Sequence, residues 1–320
     1  MKIVFILNPI SGTVKKAKIP QLIEQYLDQS VYTYSIIYTE YAGHATELAR
    51  EASVSGADVV VAVGGDGTIN EVGRGLVHSS TAMGILPCGS GNGLARHLCI
   101  PMNLRKAIEV LNQHEVRDLD YGLINQKPFF CTCGMGFDAF ISKKFADGGK
   151  RGKLKYVQYV LQEGLRYPPE TYVITDERGE QTHHAYLVSC ANASQYGNNA
   201  YIAPQATMTD GMLDVIIMSK FGVFGAPEVS FDMMNKTLDR SNKVQSFRTN
   251  KLHIRRENPG PVHFDGDPVM MGTDIDIELV SRGIKMIINP VVETKGHRPN
   301  GIQKAICYLL NGRKGKKVKE

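Results

Sequence analysis

Short unbroken apolar runs and spaced apolar positions take turns along the first third of the chain. That alternation predicts strands separated by helices. The runs are Lys2–Leu7, Tyr32–Tyr38, Asp58–Val63 and Met83–Leu86. Val59-Val60-Val61-Ala62-Val63 has no polar break, as in a strand covered on both faces. Between and after the runs, Ile19–Asp28, Ala45–Ser53, Ile69–Leu76, Gly91–Leu98 and Leu104–Asn112 carry helical patterns. Strand–helix alternation builds a parallel sheet with helices on both faces, and such sheets bind ligands beyond the carboxyl ends of their strands. Three turns, Asn8–Gly12, Gly64–Thr68 and Pro87–Asn92, each follow a strand and are expected at one crevice.

The texture changes near Glu115. Val116–Asn125, Pro128–Cys133, Thr171–Thr175, Ala185–Ala191, Leu213–Ser219, Leu252–Arg255, Val262–Asp265, Ile275–Leu279 and Ile284–Ile288 read as strands. Helical patterns are confined to Leu154–Arg166 and Gly225–Thr237. A mostly antiparallel, sandwich-like second domain is the expectation. The chain thus divides into an α/β domain over residues 1–125 and a β-sandwich over 126–290. Residues 291–320 are expected to pack back on the first, with a short helix at Ile302–Leu310.

Composition narrows the partners. The 320 residues allow two cores, and 42% hydrophobic with 22% charged is ordinary for a globular protein. Of the net charge of +5, Arg313, Lys314, Lys316, Lys317 and Lys319 against Glu320 supply +4, so the body is nearly neutral. A nucleic-acid binder needs a basic face on its folded body, which argues against that class. The tail reads as a solvated end, with weak attraction to anionic lipid as the alternative. The basic cluster Lys150–Tyr156 could face anionic headgroups or simply start an exposed helix.

Six scattered cysteines without a Cys-x-x-Cys pair speak against zinc and for buried free thiols in a reducing compartment. Ile3–Leu7 is too short for a signal peptide, and no run is long enough to span a bilayer. A cytoplasmic protein, peripheral at most at the inner membrane face, is expected. His44, His78, His97, His183 and His184 show no ligand spacing.

The segment Gly64-Gly65-Asp66-Gly67-Thr68-Ile69-Asn70-Glu71 carries the most chemistry. A strand ends, glycines turn the chain, and a helix begins, so backbone N–H groups and the positive helix end converge where an anion can sit. Glycine admits a phosphate without a Cβ in the way. Asp66 would repel a bare phosphate, so it is expected to act through a metal, a water or a hydroxyl. The Gly-x-x-x-x-Gly-Lys-Ser/Thr loop, the Gly-x-Gly-x-x-Gly fingerprint and the protein-kinase catalytic loop are all missing.

In their order these segments resemble the diacylglycerol and sphingosine kinase family, of which the bacterial lipid kinases are closest in size. The match covers nearly the whole chain. It runs through Asn8-Pro9-x-Ser11-Gly12, Thr39-Glu40 with Gly43-His44-Ala45, Gly64–Glu71 and Pro87–Arg96. In the second half it takes in Pro204–Asp214 and Asp265-Gly266-Asp267. The resemblance implies an NAD-kinase/phosphofructokinase-like α/β domain joined to a β-sandwich lipid domain. It also implies ATP-dependent phosphorylation of a lipid hydroxyl at a membrane surface. By position, Asn8, Pro9, Ile10, Ser11, Gly12, Thr39, Gly64, Gly65, Asp66, Gly67, Thr68, Ile69, Asn70, Glu71 and Ser90 would contact the nucleotide. A structural Mg2+ would take a side-chain oxygen of Asp210 and backbone help from Thr207 and Met212; hard oxygen ligands suit that ion.

The family's third acid after Asp-Gly is usually a glutamate acting as general base; here Asp267 stands there, one methylene shorter. Asp265 could share the role, and in the sphingosine kinase branch the aspartate matching Asp66 has it. All three are catalytic candidates, although Asp-Gly by itself is an ordinary hairpin turn. Gly89-Ser90-Gly91-Asn92-Gly93-Leu94-Ala95-Arg96 departs from the usual bacterial diacylglycerol kinase form and is closer to sphingoid-base and ceramide kinases. The acceptor is thus diacylglycerol or a sphingoid base or ceramide. An NAD kinase and a non-catalytic lipid- or nucleotide-binding regulator are the alternatives, and a homodimer is left open.

Overall fold

A computed structural model describes residues 1–10, 16–147, 163–164, 166–222 and 225–290. Ser11, Gly12, the Lys150–Tyr156 cluster, almost all of Leu154–Arg166, the Ile302–Leu310 helix and the basic tail lie outside the described residues.

The first third alternates as its pattern predicts: β1 (Lys2–Leu7), α1 (Ile19–Tyr26), β2 (Thr33–Tyr38), α2 (His44–Val54), β3 (Val59–Gly64), α3 (Asp66–Leu76), β4 (Ala82–Pro87), α4 (Gly93–His97) and α5 (Leu104–Gln113). β3 lies between β1 and β4, parallel to both, and all six of its residues are buried. Its unbroken apolar run is the signature of that central place. β2, the edge strand, is half exposed and reads Thr-Tyr-Ser-Ile-Ile-Tyr. α3 begins at Asp66, three residues before its apolar pattern, so Asp66 stands in the first helical turn rather than in a loop.

The second part holds β5 (Val116–Ile124), β6 (Lys127–Phe129), β7 (Thr132–Gly136), α6 (Phe137–Asp147), β8 (Glu170–Asp176), β9 (Gly179–Ala185), β10 (Leu187–Ala191), β11 (Gln195–Gly197), β12 (Ala200–Tyr201) and β13 (Leu213–Met218). It ends with α7 (Ala226–Asn235), β14 (Val244–Thr249), β15 (Lys251–Arg256), β16 (Gly260–Phe264), β17 (Asp267–Met271) and β18 (Asp274–Ile287). Six strands in the order β14-β13-β10-β7-β16-β17 form one antiparallel sheet. The other face of the sandwich continues the first domain's sheet, in the order β2-β1-β3-β4-β18-β15-β8-β9, with β5 beside β18 and β6 beside β5. Tyr172, Ile174, Leu252, Ile254, Ile275 and Ile277 from this sheet meet Cys133, Met135, Val188, Cys190, Val215 and Val262 from the other in one core.

β18 joins the halves. The runs Ile275–Leu279 and Ile284–Ile288 belong to one strand, bent where its register with β5 shifts between Val280 and Ile284. Arg282 lies at positive φ (51°) inside that irregularity. Past the bend, Met286 pairs in parallel with Met83 of β4. An irregular strand can re-aim its second half, and here it carries the parallel sheet into the sandwich. Single-strand expectations are corrected at two places: Pro128–Cys133 divides into β6 and β7, and Ala185–Ala191 breaks at Tyr186 between β9 and β10. β9, reading Gly-Glu-Gln-Thr-His-His-Ala, is polar on both faces and gives no apolar period to detect.

Candidate active site

The turns after β1, β3 and β4 meet at one sheet edge, as expected from their places in the chain. Asn8 Nδ2 donates to Thr68 Oγ1 at 3.2 Å, and Asn8 Oδ1 accepts from the Ile10 N–H at 3.1 Å. Gly89 sits so close to Gly65 that a Cβ on Gly89 would approach the Gly65 Cα to 2.7 Å. Gly65, the N-cap of α3, supplies no side-chain cap to the first turn, and the Asp66 carboxylate draws on its own backbone N–H. Ser90 is exposed on the β4 turn, and Ile10 is exposed beside Asn8. Thr39 is buried, its N–H donating to Leu7 O at 3.0 Å. Ile69 is spent differently: its side chain is in the core and its N–H bonds Gly65 O.

Three acids that the motifs bring to this crevice are engaged by the protein itself. Asp66 accepts from the Asn92 N–H at 2.9 Å and the Gly93 N–H at 2.7 Å, tying α3 to the β4 turn and to α4. Burial pushes the Asp66 carboxyl up, against the pull of those two N–H groups. Glu71 accepts from the Gly43 N–H at 2.9 Å and the Ala45 N–H at 3.2 Å, which fastens the turn before α2. Asp265 accepts from the N–H groups of Phe130 (2.8 Å), Cys131 (2.7 Å) and Thr132 (3.1 Å) and from Asn70 Nδ2 (2.7 Å). Burial raises its carboxyl too, with those four donors opposing.

Asp267 differs. It opens β17 from the sandwich side, yet its carboxylate lies where a Cβ on Gly67 would meet it at 3.7 and 3.8 Å. Solvent reaches it at the rim, and no hydrogen-bond partner of its side chain is found among the described residues. The cleft walls withdraw water from the carboxyl, and Asp265, Glu71 and Asp66 repel its negative charge. Together they push its pKa up to about 6, with Arg74 pulling the other way. Arg74 was not apparent from the motifs, although Gly67, Asn70, Glu71 and Arg74 recur at helical spacing along α3. Its guanidinium lies 5.8 Å from the Phe264 ring centre, and Phe264 pairs with Asp267 across the hairpin.

A second polar network also escaped the motifs. Asp138 of α6 accepts from Tyr196 OH at 2.9 Å and is 3.0 Å from His263 Nε2, inside the second domain. Its three members are far apart in sequence, and only the fold collects them.

Thr207, Asp210 and Met212 lie together before β13, and the Asp210 carboxylate expected to take a cation is engaged by the protein itself. Asp210 Oδ2 takes the Arg248 guanidinium, and Asp210 Oδ1 accepts from the Met212 N–H at 3.1 Å. Thr207 Oγ1 is turned to Thr209 Oγ1 at 3.1 Å. A guanidinium supplies the positive charge that an ion would bring. Among the described residues no group of three His, Cys, Asp or Glu side chains could hold a metal, and His44 stacks on Tyr41.

The family described as "Diacylglycerol kinase catalytic domain" matches residues 2–124, and "YegS C-terminal NAD kinase beta sandwich-like domain" matches residues 131–285. The chain is 32% identical to a "Diacylglycerol kinase" from Bacillus subtilis over 67% of its own length and 73% of that protein's. It is 28% identical to a "Probable lipid kinase YegS-like" from Chromohalobacter salexigens, covering 79% and 84%. A crystal structure of a diacylglycerol kinase from Bacillus anthracis shares the fold with a TM-score of 0.72 at 22% identity, covering 91% of this chain and 98% of that one. The ATP complex of an NAD kinase from Archaeoglobus fulgidus is a more distant likeness of fold, with a TM-score of 0.51 at 13% identity over 91% and 95%.

Proposed function

The chain belongs to the diacylglycerol kinase family of lipid kinases, and on that premise we propose that it transfers the γ-phosphoryl group of ATP to a lipid hydroxyl. ATP lies with its phosphates along the turns after β1, β3 and β4. N–H groups in the first turn of α3 receive phosphate oxygens, where the helix dipole also favours negative charge. The lipid enters from the sandwich side, headgroup first. Its hydroxyl oxygen bonds to the γ-phosphorus, the bond to the ADP oxygen breaks, and the hydroxyl proton passes to Asp267. A divalent ion travelling with ATP would add charge neutralisation; the described residues are assigned no part in holding it.

The observation that carries this reading is the Asp267 carboxylate over Gly67: an acid from the second domain stands at the phosphate-binding turn of the first. A carboxyl titrating near 6 is a competent proton acceptor at neutral pH. The acceptor is diacylglycerol or a sphingoid base or ceramide, met at a membrane surface. No helix among the described residues is long and apolar enough to cross a membrane. Position 93 bears on the choice: a Cβ there would lie 3.1 Å from Gln195 O and 3.3 Å from the Tyr196 carbonyl carbon. The bacterial diacylglycerol kinases usually read Gly-Thr-x-Asn-Asp-Phe-Ala-Arg here, and the aspartate that would stand at Gly93 does not fit this backbone unshifted.

The test is incubation of the purified protein with labelled ATP and a mixed lipid extract, followed by identification of the labelled product. A phosphorylated lipid is expected. Label in NADP from added NAD, with none in any lipid, would replace this reading with an NAD kinase. ATP or lipid binding without transfer to any acceptor would make the protein a regulator.

A further inference from the structure

Asp265 is the acid of the crevice that gathers partners from both halves of the molecule. Phe130, Cys131 and Thr132 give it three backbone N–H groups, and Asn70 reaches it from α3 at 2.7 Å. Two bonds fall on each oxygen, which leaves no accepting position for a substrate hydroxyl. Asp265 and Gly266, with φ at 50° and 89°, are the two central residues of the tight turn between β16 and β17, where Asp-Gly is a favoured pair. The Asp265 N–H adds a bond to Thr132 O at 2.8 Å. Asn70 is fully buried, and its Oδ1 has no partner. The amide is oriented to give its NH2 to Asp265 at the expense of its own oxygen.

These contacts have a consequence two residues along. The Asn70 bond is the side-chain tie from the Asp265 turn to α3, and Gly67, faced by Asp267, lies one helical turn before Asn70. We propose that Asp265 and Asn70 form a positioning pair that sets the Asp267 carboxylate over Gly67, so that Asp265 acts through Asp267 and never touches the substrate. The role rests on the reading above, in which Asp267 accepts the proton. It assigns the two acids of one hairpin different work, the first to hold and the second to react.

Asn70→Ala cuts the tie while keeping both acids in the chain. In 15N-labelled unaltered protein the Gly67 amide resonance should titrate with a midpoint near pH 6, following Asp267, and Asp267→Asn should abolish that titration. In Asn70→Ala its amplitude should fall at least about twofold. With ATP and diacylglycerol in mixed micelles, the kcat of Asn70→Ala should fall roughly 10–100-fold while KM for ATP changes less than about threefold, since misplacing a reacting group by about 1 Å has that order of effect. Asp265→Asn should lower kcat similarly but keep the acid limb of the pH profile, moved to lower pH by the loss of a neighbouring charge. If that variant does not fold, Asn70→Ala carries the test alone.

The proposal is overturned if Asn70→Ala leaves the Gly67 titration and kcat unchanged. It is equally overturned if the acid limb survives in Asp267→Asn and disappears in Asp265→Asn. Should the unaltered protein phosphorylate no lipid, the functional reading fails, while the Gly67 titration still decides where Asp267 sits and what holds it there.

Discussion

The turns at Asp210-Gly211 and Asp265-Gly266 begin with the same dipeptide, and in both the glycine takes a positive φ, 73° and 89°. At the first, the carboxylate is answered by a cation, the Arg248 guanidinium, at a partly exposed corner. At the second, it is answered by four neutral N–H groups. Neutral donors satisfy hydrogen bonding without cancelling charge. The negative charge of Asp265 is therefore still felt two residues on, where it helps to hold the Asp267 proton to about pH 6. One turn ends as a surface ion pair; the other becomes an electrostatic device.

The sharpest way to break this contrast is Asp267→Asn. Loss of a positioned proton acceptor is expected to lower kcat by about 10²–10⁴-fold, with KM for ATP little changed, by steady-state kinetics. A kcat within a factor of three of the unaltered protein would remove Asp267 from the reaction. The pH profile comes next: with the acid acting as a base, kcat/KM should rise about tenfold per pH unit below 6 and level off above it. A flat profile from pH 5 to 8 would show that no group of this kind limits the reaction.

Asp66→Asn should show a mixed effect. The Asn92 and Gly93 N–H groups bond different oxygens of Asp66, so the NH2 of an asparagine would face one of these donors, and stability should fall by about 1–3 kcal/mol, together with activity. Lost turnover with an unchanged denaturation midpoint would instead give Asp66 a direct chemical part.

The smallest effects belong to the other side of the comparison. Asp210→Ala breaks a solvent-exposed pair and should cost less than about 1 kcal/mol, with activity within about twofold. A large, magnesium-dependent loss there would show that an ion displaces Arg248 in the working enzyme. The linkage of Asp267 adds a last, signed effect. Its folded pKa, about 6, lies above its ordinary value, so the folded state binds more protons between pH 4 and 6 and loses stability as pH rises through that window. Asp267→Asn should accordingly melt slightly higher than the unaltered protein at pH 8, with the difference gone below about pH 4.

Much of the fold was legible because it is local. The apolar run of β3, the glycines after it and the helical spacing from Ile69 to Leu76 lie within two dozen residues, and the structure returns them as strand, turn and helix. What was illegible had no local signal. β9 is polar on both faces, and the two runs of β18 are one strand only because β5 pairs across the irregularity between them. Within the site, the motifs nominated Asp66, Asp265 and Asp267 alike, and spacing could not say which carboxylates are occupied.

The sequence by itself determined which residues stand at the strand ends, and with them the family. Those depend on periodicity, on glycine and on neighbours a few positions away. The tertiary structure decided which carboxylates are engaged by donors of the protein itself. Asp265 finds its donors 133 to 195 positions away, and Asp66 finds its own 26 and 27 away. A carboxylate's chemistry follows from its partners and its water, and both are set only when distant segments close around it.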